Sequence, residues 1–147
     1  MIYLFTGRPD SGKAALGKRL QFFIQTDKRN WRKSVFHISD EMERLFPVQT
    51  PTKVERIFAI QRAYDIAKYL DSCGNDVVIT LVSPYIQLRE QLKSECNVQE
   101  IYCHSKKIMS KESIMQLDYE PPTSFYLDLD TSDSIDNTFN KLIKILN

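Results

Sequence analysis

The first residues that could do chemistry form a glycine-bounded loop after an apolar N-terminal run. The loop fits the pattern G-x-x-x-x-G-K, and its residues are Gly7, Arg8, Pro9, Asp10, Ser11, Gly12 and Lys13. Two glycines let the backbone curl until its N–H groups point inward, where they and the start of the next helix hold phosphate oxygens. Lys13 would bridge the outer phosphates as a point charge. The pattern therefore predicts a phosphate-binding loop, and the alternative is a chance glycine turn before a helix.

The residues after the loop depart from the usual pattern. A Ser or Thr normally follows the lysine and gives its hydroxyl to Mg²⁺, but here Ala14 and Ala15 follow it. Ser11 precedes the lysine and faces another direction, and Pro9 removes one N–H group from the loop. We therefore expect a metal ion to be held by the nucleotide, by water and by carboxylates elsewhere, or the nucleotide to bind poorly.

The apolar pattern places this loop at the start of a regular series of elements. We predict strands at 2–6, 34–38, 76–82, 97–103 and 125–129, and helices at 13–25, 52–70, 84–93 and 135–146. In the helix at 52–70, Thr52 is the expected cap and Val54 lies on the expected apolar stripe. The run DVVITLV at 76–82 is typical of a strand that is buried on both faces of a parallel sheet. Alternating strands and helices predict a three-layer α/β fold, with a central and mainly parallel five-stranded sheet between helices.

Composition limits the possible classes of protein. The chain has 147 residues and is 42% hydrophobic, which suits a single domain over residues 1–147. Its formal net charge of +1 argues against a general nucleic-acid or membrane-surface binder. No apolar stretch is long enough to cross a bilayer. We expect a cytoplasmic protein, because no signal pattern is evident and the three cysteines form no close pair.

Two further segments complete a resemblance to adenylylsulfate kinases. LVSPY at 81–85 resembles the I-S-P-Y/H-R segment of that family, and DYEPP at 118–122 resembles its Y-E-x-P-E segment. Together with the phosphate loop they follow the family's order over nearly the whole chain. The resemblance implies a P-loop NTPase fold and an enzyme that uses ATP and Mg²⁺ to phosphorylate the ribose 3′-hydroxyl of adenylylsulfate. It also implies a homodimer, although no interface can be identified in the sequence.

The resemblance assigns the reacting groups as well. The family's D-G-D-N turn aligns with residues 38–41, and its second aspartate is Asp40. The resemblance makes Asp40 the candidate catalytic base and Mg²⁺-organising carboxylate, beside Lys13 of the phosphate loop. Ile38 and Glu41 replace the first aspartate and the asparagine of the turn. The alternative, or additional, role for Asp40 is a helix N-cap.

Other positions would hold the phosphoryl acceptor. The family's D-R-x-x-N-x-R-R segment aligns with the predicted helix at 52–70, where two arginines remain. These could bind a sulfate or phosphate ester bidentately, or they are ordinary solvated residues. The acceptor-binding residues that the resemblance implies are Arg56, Arg62, Ser83, Pro84 and Tyr85.

Two family features are altered near the acceptor. The arginine that follows the S-P-Y segment in the family is Ile86 here, and Arg89, one helical turn later, could reach the same space. The family's lid motif D-P-K-G-L-Y is not reproduced. Lys106 and Lys107 stand in its place and either face phosphates or are solvated.

Three functions remain open from the sequence. The first is an ATP-dependent kinase of a small hydroxyl compound, with adenylylsulfate as the leading candidate. The second is a nucleotide-binding relative without catalysis. The third is a kinase acting on nucleic-acid ends, which is supported only by a basic cluster around Trp31 that consists of Lys28, Arg29, Arg32 and Lys33.

Overall fold

A single parallel sheet forms the centre of the molecule. The computed structural model describes residues 1–45, 52–106 and 118–147. Its strands are β1 (Ile2–Thr6), β2 (Val35–Ile38), β3 (Asp76–Ile79), β4 (Val98–His104) and β5 (Tyr126–Asp130). They lie in the order β2-β3-β1-β4-β5, and every pairing is parallel. The predicted five-stranded α/β fold is therefore confirmed.

Four α-helices in the described residues cover the two faces of this sheet. They are α1 (Lys13–Thr26), α2 (Lys53–Ser72), α3 (Ile86–Glu95) and α4 (Ile135–Leu146). Short 3-10 helices span Lys28–Asn30 and Asp40–Arg44. None of the helices in the described part of the chain has the length and apolar character that a bilayer span needs.

Alternate residues of the central strands supply two separate cores. Ile2, Leu4, Val77 and Ile79 pack with apolar residues of α2 and α3 on one face. Phe5, Val78 and Ile101 pack with residues of α1 and α4 on the other. Side chains alternate between the faces of a strand, so a strand covered on both faces becomes apolar throughout. This explains why β1 and β3 read as continuous apolar runs.

Local signals set the start of α2. The Thr52 side chain accepts a hydrogen bond from the Glu55 N–H at 3.2 Å, and the Glu55 carboxylate accepts one from the Thr52 N–H at 3.1 Å. This reciprocal capping box confirms Thr52 as the predicted cap. Val54, which we placed on the apolar stripe, is 61% exposed. The helix begins to pack on the core only at Ile57.

The segment between β3 and α3 differs from its prediction. The strand expected at 76–82 ends at Ile79, and the helix expected at 84–93 begins at Ile86. Ile79 is the last residue of β3 that pairs with β1 or with β2. The following residues include Leu81 and Tyr85, which are buried without belonging to a strand. The apolar run in the sequence therefore reflects burial, and burial continues beyond the last residue of β3 that pairs with a neighbouring strand.

A glycine lets α1 lie very close to the sheet. A Cβ atom on Gly17 would be 2.2 Å from the Cγ2 atom of Thr80 and 3.2 Å from the Cγ1 atom of Val78. Thr80 is not free to rotate away, because its Oγ1 atom is hydrogen-bonded to the Nε2 atom of His37 at 2.8 Å. Since α1 begins at Lys13, this contact also holds the end of the phosphate loop against the sheet.

We expect Gly17→Ala to destabilise the protein by about 1–3 kcal/mol, because the added methyl group overpacks the contact with Thr80. The same change in an exposed helix position would instead stabilise by ~1 kcal/mol. Urea unfolding measures the difference. Lys18→Ala, at the exposed next position, is the control and should stay within about 0.5 kcal/mol of the wild type. A Gly17→Ala variant as stable as the wild type would contradict the close packing.

Candidate functional site

The loop between β1 and α1 adopts the curled shape that its glycines allow. Gly7 has a φ of 148° and Gly12 a φ of 81°, both in the region that favours glycine, and Asp10 has a φ of 63°. A Cβ atom on Gly7 would lie 2.3 Å from the carbonyl oxygen of Cys103. The loop therefore packs directly against β4. It joins a strand to a helix that starts at Lys13, which is the context that a phosphate loop requires.

The Lys13 side chain folds back over this loop. Its Nζ atom donates to the carbonyl oxygen of Arg8 at 2.9 Å and to the Oγ atom of Ser11 at 3.3 Å. The residue is only 6% exposed. Burial lowers the pKa of the ammonium group, while the carboxylates of Asp40 and Asp10 act in the opposite direction. A phosphate oxygen in the loop would accept a hydrogen bond from this same ammonium group.

Asp40 follows β2 and stands next to the phosphate loop. Burial of its carboxyl group raises its pKa, and the charge of Lys13 and a hydrogen bond from the Val82 backbone partly offset this effect. Ser39, not Asp40, caps the short helix, because its side chain accepts a hydrogen bond from the Glu41 N–H at 3.3 Å. The capping alternative for Asp40 is therefore wrong, and its carboxylate is available for another role.

The site offers few ligands for a metal ion. Among the described residues, no group of three or more His, Cys, Asp or Glu side chains could hold one. Ala14, the second residue of α1, has no hydroxyl group, and the Ser11 hydroxyl accepts a hydrogen bond from Lys13. The groups of the loop could hold nucleotide phosphates, and the Asp40 carboxylate could serve a metal ion that the phosphates carry.

A second group of side chains meets beside the S-P-Y segment. The Tyr85 hydroxyl donates to the Oδ2 atom of Asp118 at 2.7 Å, and the Nη2 atom of Arg56 donates to the same oxygen at 3.2 Å. Burial, followed by the hydrogen bond with Asp118, raises the pKa of Tyr85 to about 12. Two of the predicted acceptor residues therefore lie together, around a carboxylate that the sequence analysis did not assign.

The other predicted acceptor residues are placed differently. Arg62 is exposed and follows Arg56 by six residues. At about 100° per residue, the two side chains leave α2 in directions that differ by roughly 120° around the helix axis. Ser83 and Pro84 are buried in the turn before α3. The carbonyl oxygen of Pro84 accepts a hydrogen bond from the Glu120 N–H at 2.8 Å. These two residues shape the turn that carries Tyr85.

The expectation that Arg89 reaches the acceptor side is wrong. The residue is 0% exposed, and its Nε atom donates to the Oε1 atom of Glu100 at 2.8 Å. Its other nitrogens donate to the carbonyl oxygens of Ser83 and Glu120. Lys93 makes a second contact with Glu100 at 2.7 Å. The guanidinium group thus joins α3, β4, the S-P-Y turn (residues 83–85) and the segment DYEPP at 118–122, called the Y-E-P segment below.

The sequence did contain a sign of this buried pair. Arg89 is flanked along α3 by Leu88 and Leu92, which pack on the core. A charged residue in that setting needs a buried partner, and Glu100 lies in the middle of β4 beside the apolar Ile101. Neither position alone identifies the other.

The Y-E-P segment contacts the end of β1 and the start of α3. The Tyr119 hydroxyl is 2.8 Å from the Oγ1 atom of Thr6, the last residue of β1. The Glu120 carboxylate accepts a hydrogen bond from the Ile86 N–H at 3.3 Å, at the start of α3. This segment therefore connects the strand before the phosphate loop to the helix that follows the S-P-Y turn.

The basic cluster around Trp31 lies at the other end of the sheet. The fourteen residues of α1 carry the chain roughly 20 Å from Lys13, and the cluster comes before the start of β2. Trp31 is 72% exposed, with the Arg32 guanidinium 4.6 Å from its ring centre. The cluster takes no part in the site.

The Lys106 N–H donates to the Ser132 Oγ atom at 2.8 Å, and Lys107 lies outside the described residues.

The fold and the phosphate loop define a P-loop kinase domain. The adenylylsulphate kinase family matches residues 1–113, and the chain belongs to this family as a divergent member. No curated protein sequence gives a significant match.

Several solved structures are similar to this chain over almost its full length. APE1195 is 26% identical, with 99% of this chain and 94% of that one covered and a TM-score of 0.79. The APS kinase CysC of Mycobacterium tuberculosis, in complex with AMPPNP and APS, is 17% identical, with 99% and 96% covered and a TM-score of 0.71. Kti12 of Chaetomium thermophilum, in complex with ADP-AlF3, is 15% identical, with 100% of both chains covered and a TM-score of 0.71. The last two show the fold alone.

We expect Arg89→Met to destabilise the protein by about 3 kcal/mol, because it leaves the buried Glu100 carboxylate with Lys93 as its remaining cation. The double variant Arg89→Met/Glu100→Gln should regain part of that loss, since it removes the buried charge. Urea unfolding of both variants measures the coupling.

Lys68→Met is the matched control for this measurement. It breaks an ion pair with Glu95 of the same 2.8 Å length, whose side chains are 33% and 39% exposed, and it should cost less than about 1 kcal/mol. Equal losses for Arg89→Met and Lys68→Met would show that burial of the Arg89 pair has no energetic consequence.

Proposed function

We propose that this chain is an ATP- and Mg²⁺-dependent kinase. It transfers the γ-phosphoryl group of ATP to a hydroxyl group of adenylylsulfate or of a related small molecule. The observation that carries the proposal is the phosphate loop itself, with Lys13 buried over it at the start of α1. Asp40, after β2, lies near enough for its charge and that of Lys13 to act on each other. A carboxylate for the acceptor hydroxyl is thus within electrostatic range of the cation for the outer phosphates, as phosphoryl transfer needs.

The roles of the residues follow from their environment. The N–H groups of the loop and the start of α1 would hold the phosphate oxygens, and Lys13 would hold the outer phosphates. Mg²⁺ would travel with the nucleotide and supply further positive charge, with Asp40 as its protein carboxylate. When no metal ion is bound, the pKa of Asp40 is raised, and such a carboxylate accepts a proton more readily than an ordinary aspartate. Arg56 and Tyr85 would position the acceptor.

A nucleotide-binding relative without catalysis is the second candidate, and Ala14 favours it. The position that normally supplies a hydroxyl to Mg²⁺ has only a methyl group, and Ser11 is hydrogen-bonded to Lys13. A kinase acting on nucleic-acid ends has no such support, because the Trp31 cluster is far from the loop. A single domain over residues 1–147, a cytoplasmic location and a homodimer remain predictions.

A transfer assay tests the proposal. The protein is incubated with γ-labelled ATP and Mg²⁺, with adenylylsulfate or with uncharged sugars and polyols, and ATP binding is measured by calorimetry in parallel. We expect labelled product from at least one acceptor. Clear ATP binding with no transfer to any acceptor would contradict the kinase and favour the non-catalytic candidate.

Ala14→Ser tests the role given to position 14 in the same calorimetric measurement. The added hydroxyl should strengthen Mg²⁺-dependent ATP binding by about tenfold, or ~1.4 kcal/mol, without changing binding measured in EDTA. Ala15→Ser, one position later on the same helix, is the control and should leave both values unchanged. An equal effect of the two variants would refute the role given to position 14.

A further inference from the structure

One carboxylate joins two side chains of the acceptor region. The Oδ2 atom of Asp118 accepts hydrogen bonds from the Tyr85 hydroxyl at 2.7 Å and from the Arg56 Nη2 atom at 3.2 Å. The side chains of Arg56 and Asp118 are 38% and 39% exposed, and Tyr85 is buried. Asp118 and Arg56 are therefore exposed enough for a ligand beside Tyr85 to contact both.

The charge of Arg56 is already matched in this arrangement. The Nη2 atom of Arg56 lies 3.2 Å from the Oδ2 atom of Asp118, and this ion pair offsets the charge of the guanidinium group. A second anion on this group would lie close to the Asp118 carboxylate. Two like charges in contact disfavour binding, which is how sites reject unwanted ligands.

The neighbouring charges do not restore a positive site. The Lys53 ammonium group lies 5.2 Å from the centre of the Tyr85 ring, and the Glu120 carboxylate is bound to the start of α3. Two cations thus stand beside two carboxylates around Tyr85. A sulfate or phosphate ester would gain little from this balance, whereas a hydroxyl group could donate to Asp118.

We propose that Asp118 determines acceptor specificity. The site that Arg56, Tyr85 and Asp118 form selects an uncharged, hydroxyl-bearing acceptor and disfavours one that presents a sulfate or phosphate ester. The inference rests on the proposed function, because it assumes that the acceptor occupies the space beside Arg56 and Tyr85. It decides between the two acceptor classes that the proposed function allows.

Calorimetric titration of the full chain with adenylylsulfate tests this inference. Asp118→Asn keeps an acceptor for the Tyr85 hydroxyl but removes the negative charge from Arg56. We expect adenylylsulfate to bind this variant at least about tenfold more tightly than the wild type, as a charge-assisted contact with Arg56 becomes available. The double variant Asp118→Asn/Arg56→Gln should return to the weak binding of the wild type.

Asp128→Asn is the matched control, since it removes the same charge from a residue that pairs with His104 at 2.9 Å. It should leave adenylylsulfate binding unchanged. Equal tightening by Asp128→Asn would indicate a general charge effect and overturn the inference. Binding by Asp118→Asn that is no tighter than that of the wild type would overturn it as well.

The design keeps this inference separate from the proposed function. Each titration is run with and without a non-hydrolysable ATP analogue, so the effect of Asp118 is measured even if the analogue fails to bind. Failure of the analogue to bind would contradict the proposed function alone. In a competition assay with labelled ATP, we expect the wild type to label uncharged sugars and polyols in preference to adenylylsulfate. Label found only on adenylylsulfate would overturn the role of Asp118.

Discussion

The position of β1 in the sheet is the constraint on which the site depends. β1 is hydrogen-bonded in parallel to β3 on one side and to β4 on the other. Because the carboxyl ends of parallel strands meet at the same edge of a sheet, the segments that follow β1, β2 and β3 must lie next to one another. The phosphate loop, Asp40 and the S-P-Y turn are those segments. Close packing of Gly17 on Thr80 then holds α1, and with it Lys13, at a set distance from this edge.

The acceptor half of the site depends on a second constraint, the buried guanidinium group of Arg89. It binds the carbonyl oxygens of Ser83 and Glu120 together with the Glu100 carboxylate. The S-P-Y turn and the Y-E-P segment are thereby held against each other, although neither belongs to a strand or a helix. Tyr85 and Asp118 extend from these two segments, so their hydrogen bond follows from the arrangement beneath them. The acceptor region is therefore built from loops that a buried charge network makes rigid.

Much of the fold could be predicted from the sequence, because it depends on local patterns. The bounds of β1 and α4 and the cap at Thr52 followed from apolar periodicity and capping chemistry. The C-terminal bound of β3 could not be predicted in this way, since burial continues past Ile79, the last residue that pairs with a neighbouring strand. The capping role that we considered for Asp40 belongs to Ser39, because both residue types cap helices and only the backbone path decides between them.

The site was predictable only in part. The phosphate loop is continuous in sequence, so its residues identify it directly. Asp118 could not be found in this way, because it meets Arg56 across 62 positions and no spacing rule connects them. The prediction for Arg89 was wrong for the same reason, because its partner Glu100 lies on another element. Helical spacing indicates which way a side chain points, but it does not identify the residues that the side chain contacts. Long-range pairs of charged side chains are thus what the structure adds to the sequence.

The central claim is that Lys13 and its loop bind the phosphates of a nucleotide, and ATP binding by Lys13→Met tests it most directly. Calorimetry should show that the wild type binds ATP and that Lys13→Met binds it at least about tenfold more weakly, because a charge-assisted contact with the phosphates is lost. Lys18→Met, which removes an exposed lysine from the same helix, should bind ATP like the wild type. Failure of the wild type to bind ATP, or equal binding by Lys13→Met, would contradict the account.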